Sequence, residues 1–290
     1  SSVPQDVRLY SGDMRDPALL DAVFSEQPIE AVLHFAACSL VGESMEQPLK
    51  YFQNNIHGMM VLLEAMARHG VDKIVFSSTA SVYGEPDVVP IPEHAPLRPT
   101  NPYGESKLAM ERMMHWVGRA HGIRSVILRY FNVAGAWPQG LIGEDHRPES
   151  HLIPIILQVP LGKRPHVTIF GDDYPTPDGT CIRDYLDVME LADAHLRAVD
   201  YLRGGGGSEV CNLGNGTGFS VRQMVEAARR VTGRDIAVSI GARRPGDPAR
   251  LVASAQRAAE VLGWTARADI DSIIASAWNW HSRNPEGFAE

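Results

Sequence analysis

The sequence predicts an α/β fold in which a Rossmann-like, doubly wound parallel sheet is accompanied by a smaller mixed α/β lobe. Strand-length apolar runs alternate with helical segments as far as about Gly135, which is typical of βαβ units. The run 31–37 is almost continuously apolar, as expected for a strand buried on both faces of a sheet. We therefore expect residues 1–135, with elements returning from the C-terminal half, to form the Rossmann-like domain. Residues 136–290, where the alternation becomes irregular, are expected to form mainly the smaller lobe.

Each element is predicted from apolar periodicity, caps and turn residues. Asp16 and Pro17 suit a helix start, as do Asn101 and Pro102. The first half is predicted to contain strands at 7–10, 31–37, 73–79 and 125–132, and helices at 16–27, 48–69 and from Asn101 onward. The second half is predicted to contain helices at 151–162, 187–202, 220–232, 254–262 and 270–282, and strands at 166–171, 209–213 and 235–240.

The composition argues against several classes of protein. A formal net charge of −8 is unfavourable for a general nucleic-acid surface. No apolar run approaches the roughly 18 residues of a membrane span, and the segment 1–10 lacks a signal-peptide layout. The cysteines Cys38, Cys181 and Cys211 are far apart and odd in number, which predicts neither disulfides nor a zinc site and favours a reducing, cytoplasmic setting. The eleven histidines show no metal-ligand spacing, so no metal is expected.

The most informative pair is Tyr103 and Lys107, four residues apart near the start of a predicted helix. Positions i and i+4 share a helix face, so a phenol and an ammonium group can act on one substrate. A tyrosine acting as a base near neutral pH needs its pKa lowered from about 10 by roughly three units, which corresponds to about 4 kcal/mol. An exposed ion pair contributes only ~0–1 kcal/mol. Lys107 therefore needs help from a sheltered cleft, the helix N-terminus and a second cation, such as an oxidised nicotinamide ring.

Taken alone, this pair also fits an ordinary amphipathic helix with a surface lysine. Other polar groups follow predicted strands, for example Asp13 and the segment 77–79, and ligands of doubly wound sheets bind beyond such strand ends. Thr79 can donate to a substrate hydroxyl or relay its proton, although hydroxyl clusters at strand ends often only cap turns. Arg183, which is next to Asp184, and the pair Arg243 and Arg244 fit either phosphate binding or surface ion pairs.

Three longer motifs occur in order: VFSSTASVYG at 75–84, NPYGESK at 101–107 and RYFNVAG at 129–135. Together they resemble the extended short-chain dehydrogenases/reductases that act on nucleotide sugars. Further segments resemble the UDP-glucose 4-epimerase family, and the similarity covers nearly the whole chain. These segments are 12–16, 41–44, 169–176, 178–180, 183–185, 212–214 and 244–247.

This resemblance implies an isomerase with permanently bound NAD, which interconverts UDP-galactose and UDP-glucose in galactose metabolism. Tyr103 would take the proton of the 4-hydroxyl group while hydride passes from C4 to NAD. The 4-ketose would then turn over in the site and be reduced on its other face. Thr79 would hydrogen-bond the 4-oxygen, and Lys107 would lower the pKa of Tyr103 and hold the nicotinamide ribose.

The resemblance also implies the binding residues and a homodimer formed through the helices at 48–69 and 103–121. The implied cofactor contacts are Asp13, Met14, Phe35, Ala36, Ala37, Asn54, Thr79, Tyr103, Lys107 and Phe131. The implied UDP-sugar contacts are Thr79, Asn132, His151, Leu152, Thr168, Phe170, Arg183, Arg244 and Asp247.

The chain departs from the family pattern at its start. The family opens with a strand, a Gly-rich phosphate loop, a helix and a second strand that carries an acidic ribose ligand. Here about a dozen residues precede Asp13, and none form G-x-x-G-x-x-G. Without a backbone cradle for the pyrophosphate, we expect an N-terminally incomplete sheet and weak or lost NAD binding. Smaller departures are Ser39, where some relatives carry Lys, and His151, where some carry Asn. Leu251 leaves the acceptance of N-acetylated sugars open.

Three rival hypotheses remain. A nucleotide-sugar 4,6-dehydratase shares the fold and the Tyr-x-x-x-Lys pair, but it needs an acid pair beside the threonine, and here Ala80 and Ser81 follow Thr79. A UDP-hexuronate epimerase or decarboxylase fits the later motifs less well. A non-catalytic UDP-sugar-binding module is favoured by the absent glycine loop and disfavoured by the intact Thr79, Tyr103 and Lys107.

Overall fold

The structure is a computed structural model and describes residues 3–244 and 247–288. Its helices are α1 (Pro17–Glu26), α2 (Val41–Glu46), α3 (Pro48–Tyr51), α4 (His57–His69), α5 (Pro102–His121), α6 (Leu152–Gln158), α7 (Val188–Arg203), α8 (Val221–Thr232), α9 (Gln256–Leu262) and α10 (Ile270–Arg283). Its strands are β1 (Val32–His34), β2 (Lys73–Thr79), β3 (Arg124–Tyr130), β4 (Asn132–Ala134), β5 (Val167–Phe170), β6 (Ile182–Arg183), β7 (Tyr185–Asp187), β8 (Glu209–Leu213), β9 (Phe219–Ser220), β10 (Val238–Gly241) and β11 (Arg250–Leu251). None of the helices in the described parts is both long and apolar enough to cross a membrane.

The main sheet is parallel and has the strand order β1-β2-β3-β8, which confirms the predicted fold class. β2 and β3 pair along their full lengths, from Lys73 with Arg124 to Thr79 with Tyr130. β8 returns from the second half of the chain and pairs with β3. Because the strands are parallel, their carboxyl ends lie at one edge of the sheet, where ligands of such folds bind.

Helices cover the two faces of this sheet. Successive side chains of a strand point to opposite faces. Accordingly, Ile74 and Phe76 are buried in a cluster with α4 and α5, whereas Val75 is buried with α7 and α9. Full burial of a large apolar side chain contributes about 1.5–3 kcal/mol, so both faces stabilise the sheet and hold its carboxyl edge in place.

Shorter sheets and helices follow Gly135 and form mixed α/β structure. β5 pairs with β10, and β6 lies between parallel β11 and antiparallel β9. α6, α8 and α10 pack together around Ile156, Met224 and Ile274. A reciprocal pair of hydrogen bonds between Ser220 and Gln223 caps the start of α8, as the predicted serine cap requires.

Several element predictions are wrong or need new bounds. The segment 7–10 is not a strand, and Val7 and Leu9 are 52% and 68% exposed. A strand needs a paired neighbour for its backbone groups, and among the described residues β1 pairs only with β2. β1 is also shorter than predicted. A π-helical turn at Phe52–Ile56 interrupts the helix predicted at 48–69, and the strand predicted at 125–132 breaks at Phe131, where β4 leaves to pair with β7.

Candidate active site

A cavity of about 510 Å³ lies at the carboxyl edge of the main sheet. β2 ends in Thr79, and the chain leaves β3 through Phe131 and Asn132. These residues line the cavity together with Ser81, Asn101, Tyr130, Arg183, Arg244, Asp247 and Leu251. The parallel topology therefore brings together several of the polar groups that the sequence placed at strand ends.

Tyr103 reaches Thr79 because α5 begins close to the turn that follows β2. The predicted cap is confirmed: Asn101 Oδ1 accepts the N–H of Gly104 at 2.9 Å. A Cβ on Gly104 would lie 2.7 Å from the carbonyl oxygen of Ser81, so the close approach of helix and turn requires glycine. Burial raises the pKa of the Tyr103 phenol, while a hydrogen bond with Thr79 lowers it. A base near neutral pH therefore still needs added positive charge at this phenol.

Lys107 is buried beside β2, with only 3% of its surface exposed. Its Nζ donates to the carbonyl oxygen of Ser77 at 2.8 Å and lies 4.8 Å from the centroid of the Phe76 ring. Burial lowers the pKa of this ammonium group to about 7, although the charge of Glu111 opposes the shift. An ammonium group has three N–H donors, and the described residues supply one acceptor. Two donors remain for a ligand.

The chain leaves β1 through Phe35, Ala36 and Ala37 at the same edge of the sheet. Phe35 is 58% exposed, and its ring centroid lies 4.7 Å from that of His195. His195 Nε2 in turn lies 2.8 Å from Ser77 Oγ, and Lys107 donates to the carbonyl oxygen of the same serine, so the exposed ring and the ammonium group are connected through Ser77. Together they fit a ligand that has both a flat ring and hydroxyl groups. NAD is such a ligand, so these residues fit the cofactor that the resemblance implies.

Asn55 is a residue of this region that sequence reasoning missed. It is 2% exposed, and its Nδ2 donates to Ser106 Oγ at 2.9 Å and to the carbonyl oxygen of Cys38 at 3.1 Å. Its Oδ1 accepts from the backbone N–H of Cys38 at 2.8 Å and from Asn54 Nδ2 at 3.1 Å. The available signal was a pair of consecutive amides inside a predicted helix. Asn55 joins the loop after β1 to the first turns of α5.

Asp13 and Met14 lie outside the cavity lining. Arg15 binds the exposed Asp13 carboxylate through Nε at 3.0 Å and Nη2 at 2.5 Å, and these hydrogen bonds lower the pKa of Asp13 to about 2. Met14 packs in the cluster of α4 and α5, with its Sδ 3.5 Å from the position of a Cβ on Gly58. Asp13 thus remains charged and accessible, as a contact to a polar ligand requires.

The second half of the chain contributes one unpaired cation to the cavity. The Arg244 guanidinium group stacks 4.0 Å from the Phe170 ring centroid, and no ion pair to Arg244 occurs within 3–244 and 247–288. Arg183 instead binds Asp247, with Nη2 and Oδ1 2.5 Å apart. Stacked guanidinium groups suit the recognition of phosphate. Pro245 and Gly246 of the motif at 244–247 lie outside the described residues.

Four predicted substrate residues and Arg243 do not line the cavity; one of the four is Phe170, which contacts the lining residue Arg244. His151 precedes α6, and its Nδ1 lies 2.8 and 3.0 Å from carboxylate oxygens of Glu144 and Glu149, which raise its pKa to about 10. Leu152 packs with the core of α6, α8 and α10, and Thr168 Oγ1 lies 3.1 Å from Ser239 Oγ. Arg243 forms a surface ion pair with Asp173 at 2.6 Å, which is the second of the two roles that the sequence allowed for it.

A buried polar network supports the strand ends behind the cavity. Arg129 Nη2 and Glu111 Oε2 lie 2.6 Å apart, and both side chains are 5% exposed. Ser78 Oγ donates to Glu111 at 2.5 Å, and Arg129 Nη1 donates to the Tyr83 hydroxyl at 3.0 Å. Tyr83 in turn donates to Asn212 Oδ1 at 2.6 Å. These bonds connect β2, β3, α5 and β8 directly below Thr79.

Comparison with known proteins supports the resemblance. The family model described as GDP-mannose 4,6 dehydratase matches residues 1–277. The UDP-glucose 4-epimerase of Lacticaseibacillus casei is 56% identical over 290 residues, which cover 100% of this chain and 88% of the relative. The enzyme of the same name from Streptomyces lividans is 53% identical and covers 99% of this chain and 87% of the relative. The chain belongs to the UDP-glucose 4-epimerase family.

Solved structures agree with this assignment. A crystal structure of a UDP-glucose 4-epimerase has a TM-score of 0.97 and 55% identity, covering 99% of this chain and 88% of the other. The Bifidobacterium longum UDP-glucose 4-epimerase, solved in complex with NAD+ and UDP, has a TM-score of 0.90 and 44% identity, covering 96% and 84%. The epimerase family is thus shown by fold as well as by sequence, and these relatives carry the epimerase name rather than that of a dehydratase or decarboxylase.

Proposed function

We propose that this chain is an NAD-dependent epimerase that interconverts UDP-galactose and UDP-glucose by transient oxidation at C4. The observation that carries this proposal is that Thr79, which lines the cavity, lies beside Tyr103, and that Tyr103 shares a face of α5 with the buried Lys107. The names of the relatives support the same activity. The alternative of a non-catalytic UDP-sugar-binding module has no support from these relatives.

The three central side chains divide the proton chemistry. Bound NAD supplies the acceptor and donor of hydride and a positive charge near the phenol. Tyr103 acts as the general base that takes the proton of the sugar 4-hydroxyl group, and it returns this proton after the 4-ketose has rotated in the site to present its other face. Thr79 holds the 4-oxygen by a hydrogen bond. The two free N–H groups of Lys107 hold ribose hydroxyls, and its charge favours the phenolate.

The other predicted site residues are assigned either to the UDP-sugar or to the cofactor. We propose that the UDP-sugar is held by a set that combines polar, cationic and apolar groups: Thr79, Asn132, His151, Leu152, Thr168, Phe170, Arg183, Arg244 and Asp247. Arg244 is the main diphosphate contact because it is exposed and unpaired among the described residues. The proposed cofactor contacts are Asp13, Met14, Phe35, Ala36, Ala37, Asn54, Thr79, Tyr103, Lys107 and Phe131.

We also propose the larger organisation. Residues 1–135, with returning elements such as β8, form the cofactor domain, and residues 136–290 form mainly the UDP-sugar lobe. The chain acts as a homodimer through α4 and α5, whose Met60 and Trp116 are 47% and 64% exposed. Exposed large apolar side chains favour such a contact. It serves galactose metabolism in the cytoplasm and binds neither nucleic acid nor membrane.

The test is the conversion of UDP-galactose to UDP-glucose by the purified chain with added NAD. Tyr103→Phe removes the base and is expected to lower kcat by about 10²- to 10⁴-fold. Tyr201→Phe is the matched control, since Tyr201 lies on α7 away from the cavity lining, and it should retain activity. Conversion that survives Tyr103→Phe would reject the assigned base. An inactive parent chain with bound NAD would reject the proposed function.

A further inference from the structure

A cluster of potential metal ligands lies outside the cavity described above. Glu144, His146, Glu149 and His151 each present one ligand atom, and these atoms all lie within 4.8 Å of one another. The four residues follow the pattern E-x-H-x-x-E-x-H. This spacing neither places all four side chains on one face of a helix nor matches that of a zinc finger, so the sequence alone does not predict a metal site. The loop before α6 folds back and brings the four side chains together.

The distances fit a small, four-coordinate ion. Both His146 Nδ1 and His151 Nδ1 approach the same Glu144 Oε1, at 3.0 and 2.8 Å. Glu149 Oε1 lies 3.0 Å from His151 Nδ1, and Glu149 Oε2 lies 3.9 Å from His146 Nδ1. With metal–ligand distances of about 2.0–2.2 Å, the ligand atoms of a tetrahedral zinc ion are about 3.4 Å apart. The observed separations fall on both sides of this value.

Two nearby cations have other carboxylate partners among the described residues. Arg147 pairs with Asp145 at 3.8 Å, and Lys163 pairs with Glu286 at 3.0 Å. Among the ion pairs of the described residues, Glu144 and Glu149 pair only with His146 and His151. The carboxylates are 17% and 11% exposed, so their charges are partly withdrawn from water and favour a cation between them.

The loop is held in shape by contacts that leave the ligand atoms in place. Glu149 Oε1 accepts the backbone N–H groups of Ser150 and His151 at 2.7 and 2.8 Å, which fixes this carboxylate. The carbonyl oxygen of Glu144 accepts from Trp280 Nε1 of α10 at 3.1 Å. Supported ligands lose less conformational freedom when a metal binds, as a preorganised site requires.

We propose that Glu144, His146, Glu149 and His151 form a zinc site that holds the loop 144–151 at the start of α6. The histidine atoms that meet the carboxylates are both Nδ1, so Nε2 of His151 remains as the donor for the proposed UDP-sugar contact. Two imidazoles and two carboxylates are a donor set for zinc, whereas magnesium and calcium prefer oxygen ligands alone. Four protein ligands leave no open position, so the site is structural. It stabilises the folded chain by binding only the folded state.

The experiment uses the full, untagged chain, because a polyhistidine tag would itself bind zinc. After treatment with EDTA and desalting, zinc binding is measured by calorimetry, and Co²⁺ replaces zinc to report tetrahedral coordination by visible absorption. We expect one ion per chain, an increase in Tm with zinc, and a tetrahedral Co²⁺ spectrum. His146→Gln and Glu149→Gln should each weaken binding at least about 10-fold and abolish the increase in Tm.

His281→Gln and Glu286→Gln are the matched controls, since both residues line the same cavity as the loop but lie outside the cluster. They should bind zinc like the parent. Circular dichroism verifies that each variant is folded, and Glu144→Gln replaces any variant that is not. The proposal is overturned if the parent binds no zinc or gains no stability from it, if His146→Gln binds as the parent does, or if the control variants lose binding equally.

Discussion

Asn55 donates a hydrogen bond to Ser106 Oγ at 2.9 Å, although the two residues are 51 positions apart in the chain. Ser106 Oγ in turn donates to the carbonyl oxygen of Tyr103 at 2.7 Å. The two bonds connect the π-helical turn before α4 to the first two turns of α5, where both members of the Tyr-Lys pair are located. The position of the proposed base therefore depends on a side chain that contacts neither ligand.

Replacing Asn55 should lower stability and activity together. Asn55→Ala leaves Ser106 and the backbone of Cys38 without their buried partners, and each unsatisfied buried group costs about 1–3 kcal/mol. Urea unfolding should show a loss on the order of 3 kcal/mol, with a lower kcat for UDP-galactose. Asn54→Ala is the control for stability alone, because the Asn54 side chain bonds only to Asn55 among the described residues. Equal stabilities of the two variants would contradict this role.

Lys107→Met should abolish activity but increase stability at neutral and acidic pH. The folded pKa of about 7 lies below the ordinary value of 10.5 because the ammonium group is buried. Protonation therefore favours the unfolded chain: the cost is complete below pH 7 and fades as the pH rises from 7 to about 10.5. At about 1.4 kcal/mol per pKa unit, the gain for cofactor-free Lys107→Met is on the order of a few kcal/mol at pH 6.

Unfolding free energies measured between pH 6 and pH 9.5 check this sign. The difference between Lys107→Met and the parent should stay near its maximum up to about pH 7 and shrink from there to pH 9.5. Lys50→Met removes an exposed lysine that pairs with Glu43, and it should show no such trend. A parent chain that is more stable than Lys107→Met at pH 6 would show that the buried charge is well compensated.

Much of this site could be predicted from sequence, for physical reasons that differ from residue to residue. The Asn101 cap, Tyr103 and Lys107 are local features, so spacing alone located them correctly on one helix. Asn55 could not be found, because its partners are distant in the chain and meet it only through tertiary folding. The cluster around Glu144 lies within eight positions, but its geometry depends on the conformation of an irregular loop. The segment 7–10 reads as a strand by propensity, but a strand exists only where a neighbour accepts its hydrogen bonds.

Breaking the buried ion pair of Glu111 and Arg129 should be costly. Glu111→Gln leaves the guanidinium group of Arg129, which is nearly inaccessible to solvent, without its counter-charge, and such changes cost about 3–5 kcal/mol. Glu105→Gln on the exposed side of the same helix should change stability by less than about 0.5 kcal/mol. Thermal and urea unfolding would measure both. Similar small losses of unfolding free energy in the two variants would mean that water or Tyr83 replaces the lost carboxylate as the partner of Arg129.

Arg244→Ala should weaken substrate binding more than it slows the chemical step. A hydrogen bond to a charged group contributes about 1.5–3 kcal/mol, which corresponds to a rise in KM of roughly 10- to 100-fold at nearly constant kcat. Arg243→Ala is the neighbouring control, because Arg243 is occupied by Asp173 and lies against Tyr174. Steady-state kinetics with UDP-galactose separates the two arginines. A larger rise in KM with Arg243→Ala than with Arg244→Ala would make Arg243 the diphosphate contact instead.

The pairing of β8 with β3 has a consequence for the synthesis of the protein on the ribosome. Ser125 and Ser208, whose hydrogen bond joins the starts of these strands, are separated by 83 positions. During translation the outer edge of β3 therefore emerges long before the strand that covers it. An uncovered apolar strand edge is a site where nascent chains stick to one another. Chaperones should therefore be needed while the edge of β3 is uncovered, above all in cells that produce this chain at a high rate. Slower translation between the two strands would lengthen the time for which this edge stays uncovered.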